Sequence, residues 1–217
     1  HLLPERYNGL GYSNLIYIIS EILCFRSQIK EFNSDLNLIF IEEPEAHMHP
    51  QLQNTFITKL NEFMEINGIN AQVIISTHSP HIVSNAKFEN IRYFSRNEYS
   101  VTVKDLLKFE IDAKKKVNYD ESFDDGTIEF LKQYITLVKC DMFFADKIIL
   151  VEGLCERLLM PLFLMKIDSL IKTQPEYRKL RVLSEQYIAI IEIGGAYMYK
   201  FKEFLEFLGI KTLIITD

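Results

Sequence analysis

The sequence predicts an α/β protein built on parallel, doubly wound sheets. Three observations carry this. Short apolar runs alternate with stretches of helical periodicity, several of those runs end in carboxylates, and glycine or proline marks the joints between them. The 217 residues suffice for one large domain or two small ones, and 48% hydrophobic with 12% aromatic content supplies ordinary buried cores.

The elements follow in order. Leu15, Ile18, Ile19 and Ile22 keep helical spacing after a glycine-bearing turn. Leu38-Ile39-Phe40-Ile41 is a continuous apolar run ending in acids, as expected of a strand buried on both faces. Pro50 opens the next helix, Leu52, Phe56, Leu60 and Phe63 form its apolar stripe, and Asn67-Gly68 closes it. Val73-Ile74-Ile75 is a second buried strand, after which Ser79-Pro80 caps and starts another helix. Residues 91–103 read as a hairpin around Arg96-Asn97-Glu98. From there to about Asp125 the chain is polar, charged and weakly periodic, which suggests a connecting region, with a helix over 127–142. The α/β rhythm then resumes. Residues 147–151, 187–193 and 212–215 are strands, a helix starts near Arg157, and another bears Tyr197, Phe201, Phe204 and Leu208 before stopping at Gly209. The expected organisation is 1–103, a connecting helical region 104–143, and 144–217.

Several classes are set aside. No apolar run approaches the ~18 residues of a membrane span, and the start, His1-Leu2-Leu3-Pro4, is no signal peptide. Without an initiator Met, it suggests a piece of a longer protein. Cys24, Cys140 and Cys155 form no C-x-x-C pair, so reduced, buried thiols in a cytoplasmic protein are expected. A net charge of −6 does not advertise a nucleic-acid binder. The basic spots at Lys114-Lys115-Lys116 and around Arg178, Lys179 and Arg181 read as solvated faces.

The chemistry begins at Glu42-Glu43-Pro44-Glu45, where an apolar strand delivers adjacent acids to the ligand crevice of an α/β sheet. One acid, Glu42, suits the water shell of a magnesium ion, which takes few protein carboxylates. The next, Glu43, suits the base that orients and deprotonates an attacking water. By itself, such a pair also fits a merely solvated strand end. The second strand ends in Ser76-Thr77-His78-Ser79-Pro80, and His78 there could reach a γ-phosphate as a donor; a capped helix start with an incidental histidine has the same letters. Upstream, Asn8-Gly9-Leu10-Gly11 precedes a helix, where glycines let backbone N–H groups approach a phosphate.

In the last third, Glu152 falls at a strand end, Gly153 permits a tight turn, and Glu156 opens the next helix. Two carboxylates thus converge where a hard cation could sit. The second strand ends in Glu192-Ile193-Gly194-Gly195 and the third in Thr216-Asp217. In a parallel sheet Glu152, the glycine pair and Asp217 gather at one edge, as metal-assisted phosphodiester cleavage requires.

In this order the glycine loop, the acid-bearing strand and the histidine loop resemble the signature loop, Walker B strand and switch-histidine loop of the ABC ATPase superfamily. The string Glu42-Glu43-Pro44-Glu45-Ala46-His47-Met48-His49-Pro50 is especially similar to OLD-family heads. Glu42 stands where many relatives have Asp, and the glycine loop matches L-S-G-G-Q only loosely. The resemblance makes His47 and His49 part of the loop after Walker B and not a metal pair. Phe144-Ala145-Asp146-Lys147 through Val151-Glu152-Gly153 and Glu156 resembles the Toprim domain in its OLD version. The fold it implies is the C-terminal half of an ABC-type ATPase head followed by the N-terminal part of a Toprim domain.

What the resemblance implies is an ATP-hydrolysing, Mg2+- or Mn2+-dependent DNA endonuclease of the OLD (Gabija-type) family, active in anti-phage defence. Asn8, Gly9, Gly11, Glu42 and His78 would contact nucleotide, partly across a dimer. Glu42, Glu152, Glu156 and Asp217 would be metal ligands, Asp217 being the first acid of a D-x-D whose second lies past the chain's end. A homo-oligomer and a helicase partner are implied as well. The phosphate loop G-x-x-x-x-G-K-[ST] is absent and would precede residue 1, so the chain alone is expected to bind ATP poorly. The competing readings are a non-nucleolytic SMC-type ATPase in repair or chromosome maintenance, a primase- or topoisomerase-like enzyme, and an inactive scaffold.

Overall fold

The computed structural model describes residues 9–32, 34–96, 99–116, 125–137 and 140–216, in two units, His1–Ala86 and Lys87–Asp217. In the first unit helix α1 (Leu10–Phe32) is followed by strand β1 (Leu38–Glu42), helix α2 (Pro50–Ile66), strand β2 (Gln72–Ser76) and the short helix α3 (Pro80–Asn85). β1 and β2 pair in parallel, Leu38 opposite Gln72 and Glu42 opposite Ser76. Parallel neighbours need a crossover, and α2 supplies it. Pro50 starts α2, and Gly68, at φ +60, lets the chain leave it. Ser79 caps α3 by accepting from the His81 amide.

The expectation of strands buried on both faces fails here. Ile39, Ile41, Val73 and Ile75 pack with Ile22 of α1 and Phe56, Leu60 and Met64 of α2. Phe40, by contrast, is 68% exposed and Ile74 40%. A strand sends alternate side chains to opposite faces, and the two helices cover only the odd-numbered one. An unbroken apolar run does not reveal how many of its faces are covered. On α2 the buried positions are Gln53, Phe56, Leu60 and Met64, so Leu52 and Phe63 lie half-buried at the flank of the stripe.

The second unit opens with an antiparallel hairpin, β3 (Arg92–Arg96) and β4 (Val101–Asp105). Arg92 and Asp105 are directly opposed and ion-paired at 3.0 Å. The hairpin runs two residues beyond its expected end, and Asn97 and Glu98 of its turn lie outside the described residues. Helices α4 (Leu106–Lys116) and α5 (Asp125–Leu137) follow, then a short 3-10 turn, Cys140–Phe143. The remainder is β5 (Lys147–Val151), α6 (Leu154–Thr173), β6 (Ile188–Glu192), α7 (Gly195–Leu208) and β7 (Lys211–Ile215). These strands form one parallel sheet in the order β6-β5-β7. Its two crossovers run in opposite directions, from β5 out to β6 and from β6 back past β5 to β7, so right-handed connections place α6 and α7 on opposite faces. Residues 148–151 of β5 are all buried.

The stretch read as a connecting region is in fact packed. Leu106 is 0% exposed, and Phe109 and Ala113 are buried with it. The Phe109 ring meets Phe204 of α7 edge-on at 5.3 Å and lies 5.0 Å from Phe207. Its apolar positions are few but spaced by three and four, a stripe too narrow to stand out among charges. Helix α5 stops at Leu137, short of the expected 142, and α6 starts at Leu154, which puts Glu156 in its first turn. Of the three thiols only Cys140 is buried; burial, with Asp141 nearby, pushes it up to about 12. Cys24 and Cys155 are exposed, because apolar composition along a helix does not say which side faces out. Among the described residues no helix is long and apolar enough to cross a membrane.

Truncating a fully buried leucine typically costs about 2–5 kcal/mol. Leu106→Ala is therefore expected to lower stability by about that much in urea titration. A change under about 1 kcal/mol would make α4 a mere connector.

Candidate functional site

Beyond β1 the Glu43 amide adds one more rung, donating to the Ser76 carbonyl at 2.9 Å. Glu43 then adopts φ +43, and His47 adopts φ +63. Such left-handed conformations cost roughly 1–3 kcal/mol each for residues bearing a Cβ, so the surroundings must impose them. Two helices do so. From α1, Asn14 Nδ2 donates to the carbonyls of Pro44 (3.2 Å) and Ala46 (3.1 Å). Gly11 presses on the loop's main chain, and a β-carbon there would stand 2.4 Å from the His47 carbonyl oxygen. From α2, Gln53 Nε2 donates to the Met48 carbonyl at 2.7 Å, and its Oε1 accepts from Ser79 Oγ at 2.5 Å.

Glu45 joins the two strand ends. Its Oε1 accepts from Thr77 Oγ1 at 2.7 Å and from the His78 amide at 2.8 Å. Its Oε2 is buried without a hydrogen-bond partner. The exposed His78 ring brings Nδ1 to 3.4 Å from both Glu43 Oε1 and Glu45 Oε1. Glu43 and His78, singled out separately in the sequence, are thus neighbours. Glu42 lies opposite Ser76 and is exposed on the uncovered face of the sheet. Gly9 and Gly11 stand with His47 and His49 around a shallow depression of about 550 Å³. Asn8 lies outside the described residues. The roles of Glu45, Asn14 and Gln53 were not legible, since each depends on a partner distant in sequence.

In the second unit Glu152 follows β5 directly and is half-buried. A β-carbon on Gly195 would stand 2.5 Å from Glu152 Oε1, so with the carboxylate in this position residue 195 has room for no side chain. That turn offers the unsatisfied amides of a helix N-terminus, which favour a negative charge. Gly153 caps α6, and a β-carbon on it would stand 3.0 Å from Glu156 Oε2. The Ile193 amide donates to the Val151 carbonyl at 2.8 Å, carrying the β6 pairing one step past the strand. At Glu192, the Tyr134 hydroxyl donates to the main-chain carbonyl, and Arg157 Nη1 lies 3.8 Å from the carboxylate. Ile215 is opposite Val151, so β7 ends beside Glu152; Asp217 itself lies outside the described residues. No group of three or more His, Cys, Asp or Glu among the described residues could hold a metal ion. The two acids expected as ligands stand on either side of Gly153, Glu152 directly after β5 and Glu156 in the first turn of α6, and carboxylate oxygens are the donor type that a hard divalent cation takes.

Comparison with known proteins agrees with this division. Residues 2–83 match the family described as AAA ATPase domain, and residues 143–217 match the Overcoming lysogenization defect protein-like TOPRIM domain. The chain is 35% identical to Endonuclease GajA of Bacillus cereus strain HuB5-5, over 99% of this chain and 31% of that protein. It is 24% identical to the OLD nuclease of Thermus scotoductus over 89% of this chain and 32% of the relative. It is also 24% identical to the Old nuclease of Escherichia phage P2, over 94% and 30%. The chain therefore spans about a third of the length of the curated relatives it matches.

The close approach at Gly11 yields a direct test. Gly11→Ala forces a β-carbon against main chain and should cost about 1–3 kcal/mol, the usual range for overpacking. Thermal unfolding measures it, and a midpoint equal to the parent's would show that α1 does not clamp the 43–48 loop.

Proposed function

We propose that this chain belongs to the OLD family and forms part of an ATP-regulated, divalent-metal-dependent DNA endonuclease. The observation that carries the reading is the seat of the Glu152 carboxylate against Gly195 at the carboxyl edge of a parallel sheet, with Glu156 in the helix turn that follows. Acidic strand ends of this kind are suited to phosphodiester hydrolysis. When bound there, a divalent ion supplies Lewis-acid stabilisation of the phosphate and a water of lowered pKa. Glu152 and Glu156 hold it from the protein side, with Asp217 as the third acid. The first turn of α7 stands against the Glu152 carboxylate through Gly195.

In the first unit, Glu43 is the base that takes a proton from the water attacking the γ-phosphate of ATP. Glu42 belongs to the water shell of the nucleotide's metal. His78 donates to the γ-phosphate, and Glu45 fixes it by holding its main-chain amide. Gly9 and Gly11, with Asn8, present the α1 terminus to nucleotide held by a second copy. The shallow depression between α1 and the 43–49 loop is consistent with such use. A homo-oligomer, a helicase partner and a role in defence against phage complete the proposal; their support is the family likeness.

General-base removal typically costs 10²–10⁴-fold in rate. Glu43→Gln in the intact protein should therefore lower ATP turnover by about that range in a phosphate-release assay, while nucleotide stays bound. Unchanged turnover would remove Glu43 from its role. The Glu152→Ala, Glu156→Ala double variant should abolish plasmid nicking with magnesium or manganese. Undiminished cutting would instead favour the non-nucleolytic ATPase.

A further inference from the structure

The chain between Glu152 and its neighbours is held from an unexpected quarter. Glu192, the last residue of β6, is fixed at both ends: the Tyr134 hydroxyl of α5 donates to its carbonyl, and Arg157 of α6 faces its carboxylate at 3.8 Å. The next residue, Ile193, donates to the Val151 carbonyl, one position before Glu152. Gly194 then accepts from the Tyr197 amide at 2.8 Å, closing the turn that sets Gly195 against the Glu152 carboxylate. Tyr197 is itself stacked on Phe130 of α5, with ring centroids 4.9 Å apart and planes 17° apart. Phe130 and Tyr134 both meet Phe201 of α7 edge-on, at 5.8 and 5.1 Å. One face of α5 therefore grips the strand end and the helix start that bracket the Gly194-Gly195 turn.

We infer that Tyr134 and Phe130 of α5 are positioning residues for the carboxylate site, setting the Glu192–Gly195 turn and through it the Glu152 carboxylate. The inference rests on the reading of Glu152 as a metal ligand and deepens it. The reason is geometric. The Glu152 carboxylate lies where a β-carbon on Gly195 would stand, so a shift of the turn changes the space left to that carboxylate and moves it with the turn. A single donor at the Glu192 carbonyl sets where the turn begins, and the Phe130 stack sets where it ends. Burial, aided by the Glu192 carboxylate and opposed by Arg157, raises the Tyr134 phenol above its ordinary value of 10.0, so it stays a donor at neutral pH. Helix α5 lies in the stretch between the two family matches, residues 84–142. The nuclease site is thereby tied to the segment through which the chain arrives from its ATPase half.

Supporting groups that orient metal ligands typically change metal affinity 10–100-fold when removed. Tyr134→Phe deletes one hydroxyl and keeps every ring contact, so the fold should survive with a parent-like melting midpoint. In the full-length protein, manganese binding is measured calorimetrically without nucleotide or DNA for the parent, Tyr134→Phe, Glu152→Gln and the double variant. The expected result is at least about tenfold weaker binding in Tyr134→Phe, and little additional loss when that change is made in the Glu152→Gln background. Parent-like affinity in Tyr134→Phe, with Glu152→Gln weakened, overturns the positioning role alone. Equal losses from Tyr134→Phe in both backgrounds also overturn it, because the effect then bypasses Glu152. If Glu152→Gln binds manganese as the parent does, the metal-site reading fails and the inference with it.

Discussion

Parallel pairing governs what this chain can do. When β1 runs alongside β2, and β5 between β6 and β7, every residue that follows a strand leaves the sheet at the same edge. Side chains from segments far apart in sequence are delivered together without any further device. Glu43 and His78 meet because Glu42 and Ser76 are register partners. Glu152 and the Gly194-Gly195 turn meet because Val151 and Glu192 are. An antiparallel pairing of the same strands would send the ends to opposite edges and separate both sets.

Edge delivery is only approximate, and each unit refines it with buried polar contacts. Glu45 carries the larger energetic burden. A buried carboxylate must be hydrogen-bonded or it destabilises the fold by roughly 1–3 kcal/mol or more. Here one oxygen is satisfied by Thr77 and His78, while the other has no hydrogen-bond partner. The left-handed Glu43 and His47 are maintained by the same network, through Asn14 and Gln53. Strain and buried charge thus concentrate where the two strand ends touch, and helices on either side hold them there.

The sequence made some of this plain and hid the rest for identifiable reasons. The parallel strands were legible because each holds a short apolar run closed by polar residues or glycine. The acids at their ends were legible for the same reason. Burial of β1 and β2 was misread, since Leu38-Ile39-Phe40-Ile41 is apolar at every position and its parity is silent about which face is covered. Helix α4 was misread in the opposite sense: Leu106, Phe109 and Ala113 are a minority among lysines and acids, yet all three are buried. The contacts that Glu45 and Tyr134 make could not be found in the sequence. Their partners lie 32 and 58 residues away, and nothing local marks a glutamate that bridges loops or a tyrosine that meets a carbonyl.

Both sites share one local solution, which explains why glycine recurs at helix starts in this chain. At Gly11 the first turn of α1 presses on the carbonyl of His47, and at Gly195 the first turn of α7 presses on the carboxylate of Glu152. Neither glycine has a positive φ, so conformational freedom is not what either position requires. The requirement is space, because a helix start must come within one side chain's depth of a strand-end loop for its amides to act on what that loop presents. A larger residue at Gly11 would meet main chain and set the helix back, whereas at Gly195 it would displace the Glu152 carboxylate. The glycines therefore belong to the two sites as fully as the acids do, one beside the loop of Glu43 and the other against Glu152.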